Sequence, residues 1–114
     1  MAGDTFPTDK LQIKKKVLLE FEGKNLLGEG GARLLDAIEE THSLTLAAEH
    51  LGYSYKYAWT RLKKMHERTG IPIVDAHKGG TGGGGHMDLT PWGRIILQRF
   101  KNAEGSKVNG QDHD

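Results

Sequence analysis

Only three residues, Gly52-Tyr53-Ser54, separate two helical patterns in the middle of the chain, and that short break constrains the fold more than any other segment. Ser43 is suited to cap a helix over Leu44–Leu51, in which the Ala47-Ala48 pair allows close helix contact, and Gly52 ends it. Ser54 is suited to cap a further helix from Tyr55 to about Thr69, ended by Gly70. Upstream, Leu34, Leu35 and Ile38 repeat at helical spacing, which predicts a first helix ending near Thr41–His42. Helix, tight glycine turn, helix is the spacing of a helix-turn-helix.

The remaining segments read as small strands and one closing helix. Leu11, Ile13, Val17, Leu19 and Phe21 alternate with polar residues, which predicts a half-buried strand. Gly23-Lys24 is the expected turn, and Asn25-Leu26-Leu27 the returning strand. "IPIVDA" (71–76) and "HMDLT" (86–90) flank "KGGTGGGGH" (78–86), in which six of nine residues are glycine. Thr90-Pro91 then opens a helix carrying Trp92, Ile96 and Phe100 at four-residue steps, with Ile95 and Leu97 beside them. The expected fold is mainly α with small β-hairpins, a winged helix-turn-helix over residues 10–104, between disordered ends at 1–9 and 105–114.

At 114 residues the chain forms one domain with a modest core. It has no cysteine, so no disulfide or thiolate metal site can form, and no apolar run approaches the roughly 20 residues of a membrane span. The expectation is a soluble, cytoplasmic protein. Its net charge is only +1, but the charge is unevenly placed. Residues 1–52 carry 6 Lys/Arg and 9 Asp/Glu, residues 53–101 carry 9 and 3, and residues 102–114 carry 1 and 3. A basic middle between acidic flanks fits a polyanion partner at one face; a solvated basic surface is the alternative.

The helix over 55–69 carries the most information. At about 100° per residue, Tyr55, Ala58, Trp59, Leu62, Met65, His66 and Thr69 share one face. Lys56, Tyr57, Thr60, Lys64 and Glu67 centre the other, flanked by Arg61, Lys63 and Arg68. An apolar face for docking and a basic, hydrogen-bonding face for display is what a helix reading the major groove requires. Gly80, Gly82 and Gly85 formally satisfy G-x-G-x-x-G, but a strand pattern follows where a dinucleotide fold needs a helix. The glycine stretch reads instead as a hairpin tip, with Lys78 and Thr81 able to meet phosphates. The six histidines show no metal-ligand spacing, although His77 and His86 flank the tip and can face each other. No nucleophile–base arrangement stands out, so neither an enzyme nor a cofactor site is expected.

"LLDAIEETHSLTLAAEHLGYSYKYAWTRLKKM" (34–65), "GGTGGGG" (79–85) and "LTPWG" (89–93) together closely resemble the N-terminal winged helix-turn-helix of the molybdate-responsive ModE transcription regulators. The block SYKYAW, Ser54 to Trp59, and the glycine wing are its specific parts; LTP-x-G and Ala-Ala-x-x-Leu-Gly are shared with LysR-type regulators. His42 stands where that family often has glycine. The resemblance covers about residues 10–104 and implies a DNA-binding homodimer on a palindromic operator. By position, it also implies that Ser54, Tyr55, Lys56 and Tyr57 begin the recognition helix and that residues 78–85 form the wing. Full ModE proteins bind the oxyanion in separate β-rich domains, so the expectation is a standalone domain to which molybdate sensing does not simply pass.

The combined reading is a sequence-specific, double-stranded DNA-binding transcription regulator. Its expected DNA contacts are Ser54, Tyr55, Lys56, Tyr57, Thr60, Arg61, Lys63, Lys64, Lys78 and Thr81. A dimer contact is expected from Leu34, Ile38, Trp92, Ile95, Ile96 and Phe100. The alternative is a winged-helix protein–protein interaction module without specific DNA binding.

Overall fold

The computed structural model describes the backbone of residues 5–78 and 85–112, and the side chains of 5–77 and 85–105. Its elements are β1 (Leu19–Phe21), β2 (Lys24–Leu27), α1 (Glu29–Thr41), α2 (Leu44–Leu51), α3 (Tyr55–Thr69), β3 (Val74–Lys78), β4 (Gly85–Leu89) and α4 (Pro91–Asp112). The helices form the body, and each antiparallel strand pair is a separate two-stranded hairpin, β1–β2 and β3–β4.

Three expectations need correction. The strand predicted over 11–21 contracts to Leu19–Phe21, leaving Leu11, Ile13 and Leu18 exposed. Alternation alone does not hold a strand: β2 has four residues to pair with, and β1 ends where that partner ends. The hairpin turn falls on Glu22-Gly23, whose φ values of 50° and 80° suit a tight two-residue connection. At the chain ends, Thr8–Lys10 form a 3₁₀ turn and α4 runs on to Asp112, past the boundary expected near residue 104. Polarity removes a reason to pack, but "NAEGSKVNGQD" contains no proline and so nothing that forbids helix.

The core is made where the helical stripes converge. Leu34, Leu35 and Ile38 of α1 meet Ala47 and Ala48 of α2, Ala58, Leu62 and Met65 of α3, Met87 and Leu89 of β4, and Ile96, Leu97 and Phe100 of α4. No buried polar or charged residue interrupts this cluster among the described residues. The methyl-sized side chains of Ala47, Ala48 and Ala58 let the helices approach closely, as the sequence suggested.

The start of α4 locks the wing hairpin to the body. Thr90 Oγ1 accepts the Gly93 amide at 3.0 Å and donates to the Pro72 carbonyl at 2.8 Å, while the Thr90 amide donates to the Ile73 carbonyl at 3.0 Å. Gly93 is buried, and a methyl group there would overlap the Ile73 carbonyl oxygen. Gly93→Ala is therefore expected to destabilise the fold by about 1–3 kcal/mol, because α4 must move off the segment it caps. Thermal unfolding followed by circular dichroism checks this; an unchanged midpoint would mean that the close approach does not exist.

Candidate nucleic-acid interface

The turn between α2 and α3 is built as its sequence requires. Gly52 sits at φ 72°, in the left-handed region where glycine is at ease, and the Tyr53 amide donates to the Ala48 carbonyl at 2.9 Å. Ser43 Oγ accepts the Leu46 amide at 3.1 Å and Ser54 Oγ the Tyr57 amide at 3.0 Å, so each serine caps its helix. The Ser54 hydroxyl thus sets the direction of α3.

The docking stripe of α3 is narrower than its sequence pattern suggests. Ala58, Leu62 and Met65 are buried and Arg61 and Thr69 half-buried, but Tyr55, Trp59 and His66, assigned to the same apolar face, are exposed. The packed elements bury only the stripe through Ala58, Leu62 and Met65. Tyr55, Tyr57 and Trp59 are 57%, 47% and 47% exposed, and Lys56, Lys63 and Lys64 are exposed with them; Thr60 is half-buried. Three aromatic rings and three ammonium groups are therefore exposed on one helix.

This surface carries unneutralised charge. On the α1–α4 side, Arg33 pairs with Glu29 at 2.9 Å, Arg94 with Glu39 at 3.3 Å and Lys101 with Asp36 at 2.9 Å. Among the described residues, Lys56, Lys63, Lys64 and Arg68 enter no ion pair. The Arg61 guanidinium lies 5.9 Å from the centre of the Tyr57 ring, and Tyr53 meets that ring edge-on at 5.0 Å, so Tyr57 is held from both sides.

The second hairpin stands beside the start of α3. An open groove of about 210 Å³ is lined by Ser43 and Thr45 at the start of α2, Tyr55 at the start of α3, and Ala76, His77 and Met87 of the hairpin. The register is regular from Val74↔Leu89 to Lys78↔Gly85, with His77 opposite His86. The tip, residues 79–84 including Thr81, and the side chain of Lys78 lie outside the described residues.

A feature hidden from sequence spacing lies at the hairpin base. His42 Nδ1 is 2.7 Å from one Asp88 oxygen and His86 Nε2 is 3.2 Å from the other. The His42 hydrogen bond, with smaller contributions from His86, holds the Asp88 carboxyl below its ordinary pKa despite partial desolvation. His42 is far from His86 and Asp88 in the chain, so only the fold reveals the group.

The expected dimer residues divide. Leu34 and Ile38 are 0% exposed and Ile96 and Phe100 2%, so these four belong to the chain's own core and are not available at its surface. Trp92 is half-buried against Phe21 and donates its indole N–H to Thr69 Oγ1 at 3.2 Å. Ile95, 49% exposed, stays on the surface of α4. The sequence showed an apolar band wider than one stripe but not which part of it the core would consume.

Residues 31–94 match the family described as "Bacterial regulatory helix-turn-helix protein, lysR family". The chain belongs to this family. Within this lysR-family chain the matched region runs from the start of α1 through the capped start of α4, and so includes α3 and the wing hairpin. The chain is 39% identical over 92 residues to the molybdenum-pterin-binding protein MopB of Rhodobacter capsulatus, covering 81% of this chain and 33% of that protein. It is 34% identical over 89 residues to the molybdenum transport protein ModE of Azotobacter vinelandii, covering 78% of this chain and 33% of that one. The chain thus spans about one third of the length of these relatives. The resemblance to a ModE-type winged helix-turn-helix is borne out.

Solved structures agree on the fold. The DNA-binding domain of CbnR, solved in complex with DNA, aligns at a TM-score of 0.55 and 15% identity over 74% of this chain and 90% of that one. A point mutant of ZitR from Lactococcus lactis aligns at 0.59 and 18% identity over 93% and 73%. Among the described residues, no helix of this lysR-family chain is long and apolar enough to cross a membrane.

Proposed function

We propose that this protein is a sequence-specific, double-stranded DNA-binding transcription regulator of ModE-like type, acting without catalysis. The observation that carries the reading is the outer surface of α3, where exposed Lys56, Lys63 and Lys64, which enter no ion pair among the described residues, lie beside exposed Tyr55, Tyr57 and Trp59 on the second helix of a capped helix-turn-helix. In this reading α3 enters the major groove. Ammonium groups, those of Lys56 and Lys64 among them, neutralise phosphates, while Tyr57 and Thr60 face base edges. The wing, residues 78–86, follows the backbone or minor groove, with Lys78 and Thr81 as phosphate contacts. A domain of the same fold, the BenM DNA-binding domain, is solved on its benA site 1 DNA, which supports duplex DNA as the partner.

Two copies on an inverted repeat complete the proposal, because one helix-turn-helix contacts too few base pairs for tight specific binding. Of the residues expected at a dimer contact, exposed Ile95 of α4, with half-buried Trp92 beside it, remains at the surface for such a contact. Salt dependence separates this reading from a protein-interaction module. Affinity for a selected duplex should fall steeply and linearly with salt on logarithmic axes, whereas affinity that is negligible at low salt would favour the interaction module.

The wing supplies a further prediction. Replacing residues 79–85 by a two-residue turn keeps the register from Val74↔Leu89 to His77↔His86. The variant is expected to unfold at the parent's temperature and to bind DNA more weakly with its base preference retained, since backbone contacts position rather than specify. Binding assays on the preferred duplex and on single-base variants read this directly, and unchanged affinity would take the wing out of the interface.

A further inference from the structure

We propose that His42, His86 and Asp88 form a binding site for a divalent transition-metal ion of the zinc class. One ligand atom from each of His42, His86 and Asp88 lies within 4.8 Å of the other two. His77 Nε2 is 3.8 Å from Asp88 Oδ2. In a tetrahedral zinc site with bonds of about 2.0–2.2 Å, ligand atoms sit roughly 3.3–3.5 Å apart. Asp88 Oδ1 is 2.7 Å from His42 and Oδ2 is 3.2 Å from His86, so both imidazoles already face the one carboxylate that would bind with them. Two imidazoles with one carboxylate suit zinc, and solvent fills the fourth position.

The backbone presents these groups together. His86 and Asp88 are two residues apart on β4, which puts them on one face of the strand, and His77 faces His86 across the hairpin with ring centres 5.8 Å apart. His42 arrives from the end of α1, its ring stacked on that of His86 at 5.1 Å. The Met87 amide donates to the His42 carbonyl at 2.9 Å, which fixes the α1 end against β4 without any ion. His42 also holds φ 56°, a left-handed conformation that costs a side-chain-bearing residue energy. The side chains of His42, His86 and Asp88 are 48%, 47% and 30% exposed, so an ion can enter from solvent. Once bound, it would fasten the base of the wing to the α1–α2 turn.

Calorimetric titration of the full chain with Zn²⁺, with Co²⁺ absorption as a spectroscopic readout of coordination, tests the site. The parent is expected to bind one Zn²⁺ saturably and to give the intense visible Co²⁺ bands of four-coordination. Asp88→Asn should bind at least ten-fold more weakly, His42→Ala/His86→Ala should lose saturable binding, and His50→Ala/His66→Ala/His113→Ala should match the parent. Circular dichroism confirms that each variant is folded; if the double variant is not, His86→Ala alone, on an exposed strand face, is read in its place. Absence of saturable binding by the parent overturns the site. So does equal binding by the parent and the folded His86→Ala variants, or loss of binding in the triple variant instead.

Discussion

Phe100→Ala is expected to lower the free energy of unfolding by about 3–5 kcal/mol, with the same loss at low and high protein concentration. Phe100 is the largest fully buried side chain and lies in the cluster formed with Leu34, Ile38 and Ile96. Removing the ring leaves a cavity within the core between α1 and α4. A side chain serving a dimer contact would behave differently, because its removal would matter most where dimers form. Urea unfolding at two well-separated concentrations distinguishes the cases. A loss under about 1 kcal/mol, or one that changes with concentration, would contradict the assignment to the core. Ile95→Asp provides the contrast: it lies on the surface of α4, so its effect should fall on association and leave folding nearly intact.

The paired substitution Lys56→Ala/Lys64→Ala is expected to weaken binding to the preferred duplex by on the order of ten-fold or more and to reduce the salt slope by roughly 2. Both ammonium groups are exposed and unpaired on α3, so removing them should cost the fold little. Tyr57→Ala should act differently. Its ring is held by Arg61 and Tyr53, and a positioned ring can discriminate bases, so the loss, about 1–3 kcal/mol, should concentrate at particular base pairs. Binding assays across a salt series read both effects. Parent-like affinity and slope in the double variant would remove this face from the interface.

Much of this fold was legible in the sequence because local chemistry marks it. Ser43, Gly52, Ser54 and Gly70 bound α2 and α3, and the structure uses each as a cap or a left-handed stop. Thr90-Pro91 opens α4 for the same reason. What local signals could not supply was the extent of packing. Tyr55, Trp59 and His66 fit the helical period of the docking face, yet whether they are covered depends on neighbours that the period does not describe. The same limit moved Leu34, Ile38, Ile96 and Phe100 from the surface to the core, and it left the alternating residues from Leu11 to Leu18 without a strand to join. The cluster around Asp88 was invisible for a related reason: ligand spacing in sequence finds only ligands carried by one short segment, and here α1 and β4 each contribute.

Selection of bound sequences from a random duplex DNA library, using the full chain, tests most directly whether α3 reads base sequence. The account predicts enrichment of an inverted repeat with half-site centres about 10–10.5 base pairs, or a multiple, apart, and a selected duplex bound by two copies. A library that returns no enriched sequence, at salt low enough for the protein to bind duplex at all, would contradict it.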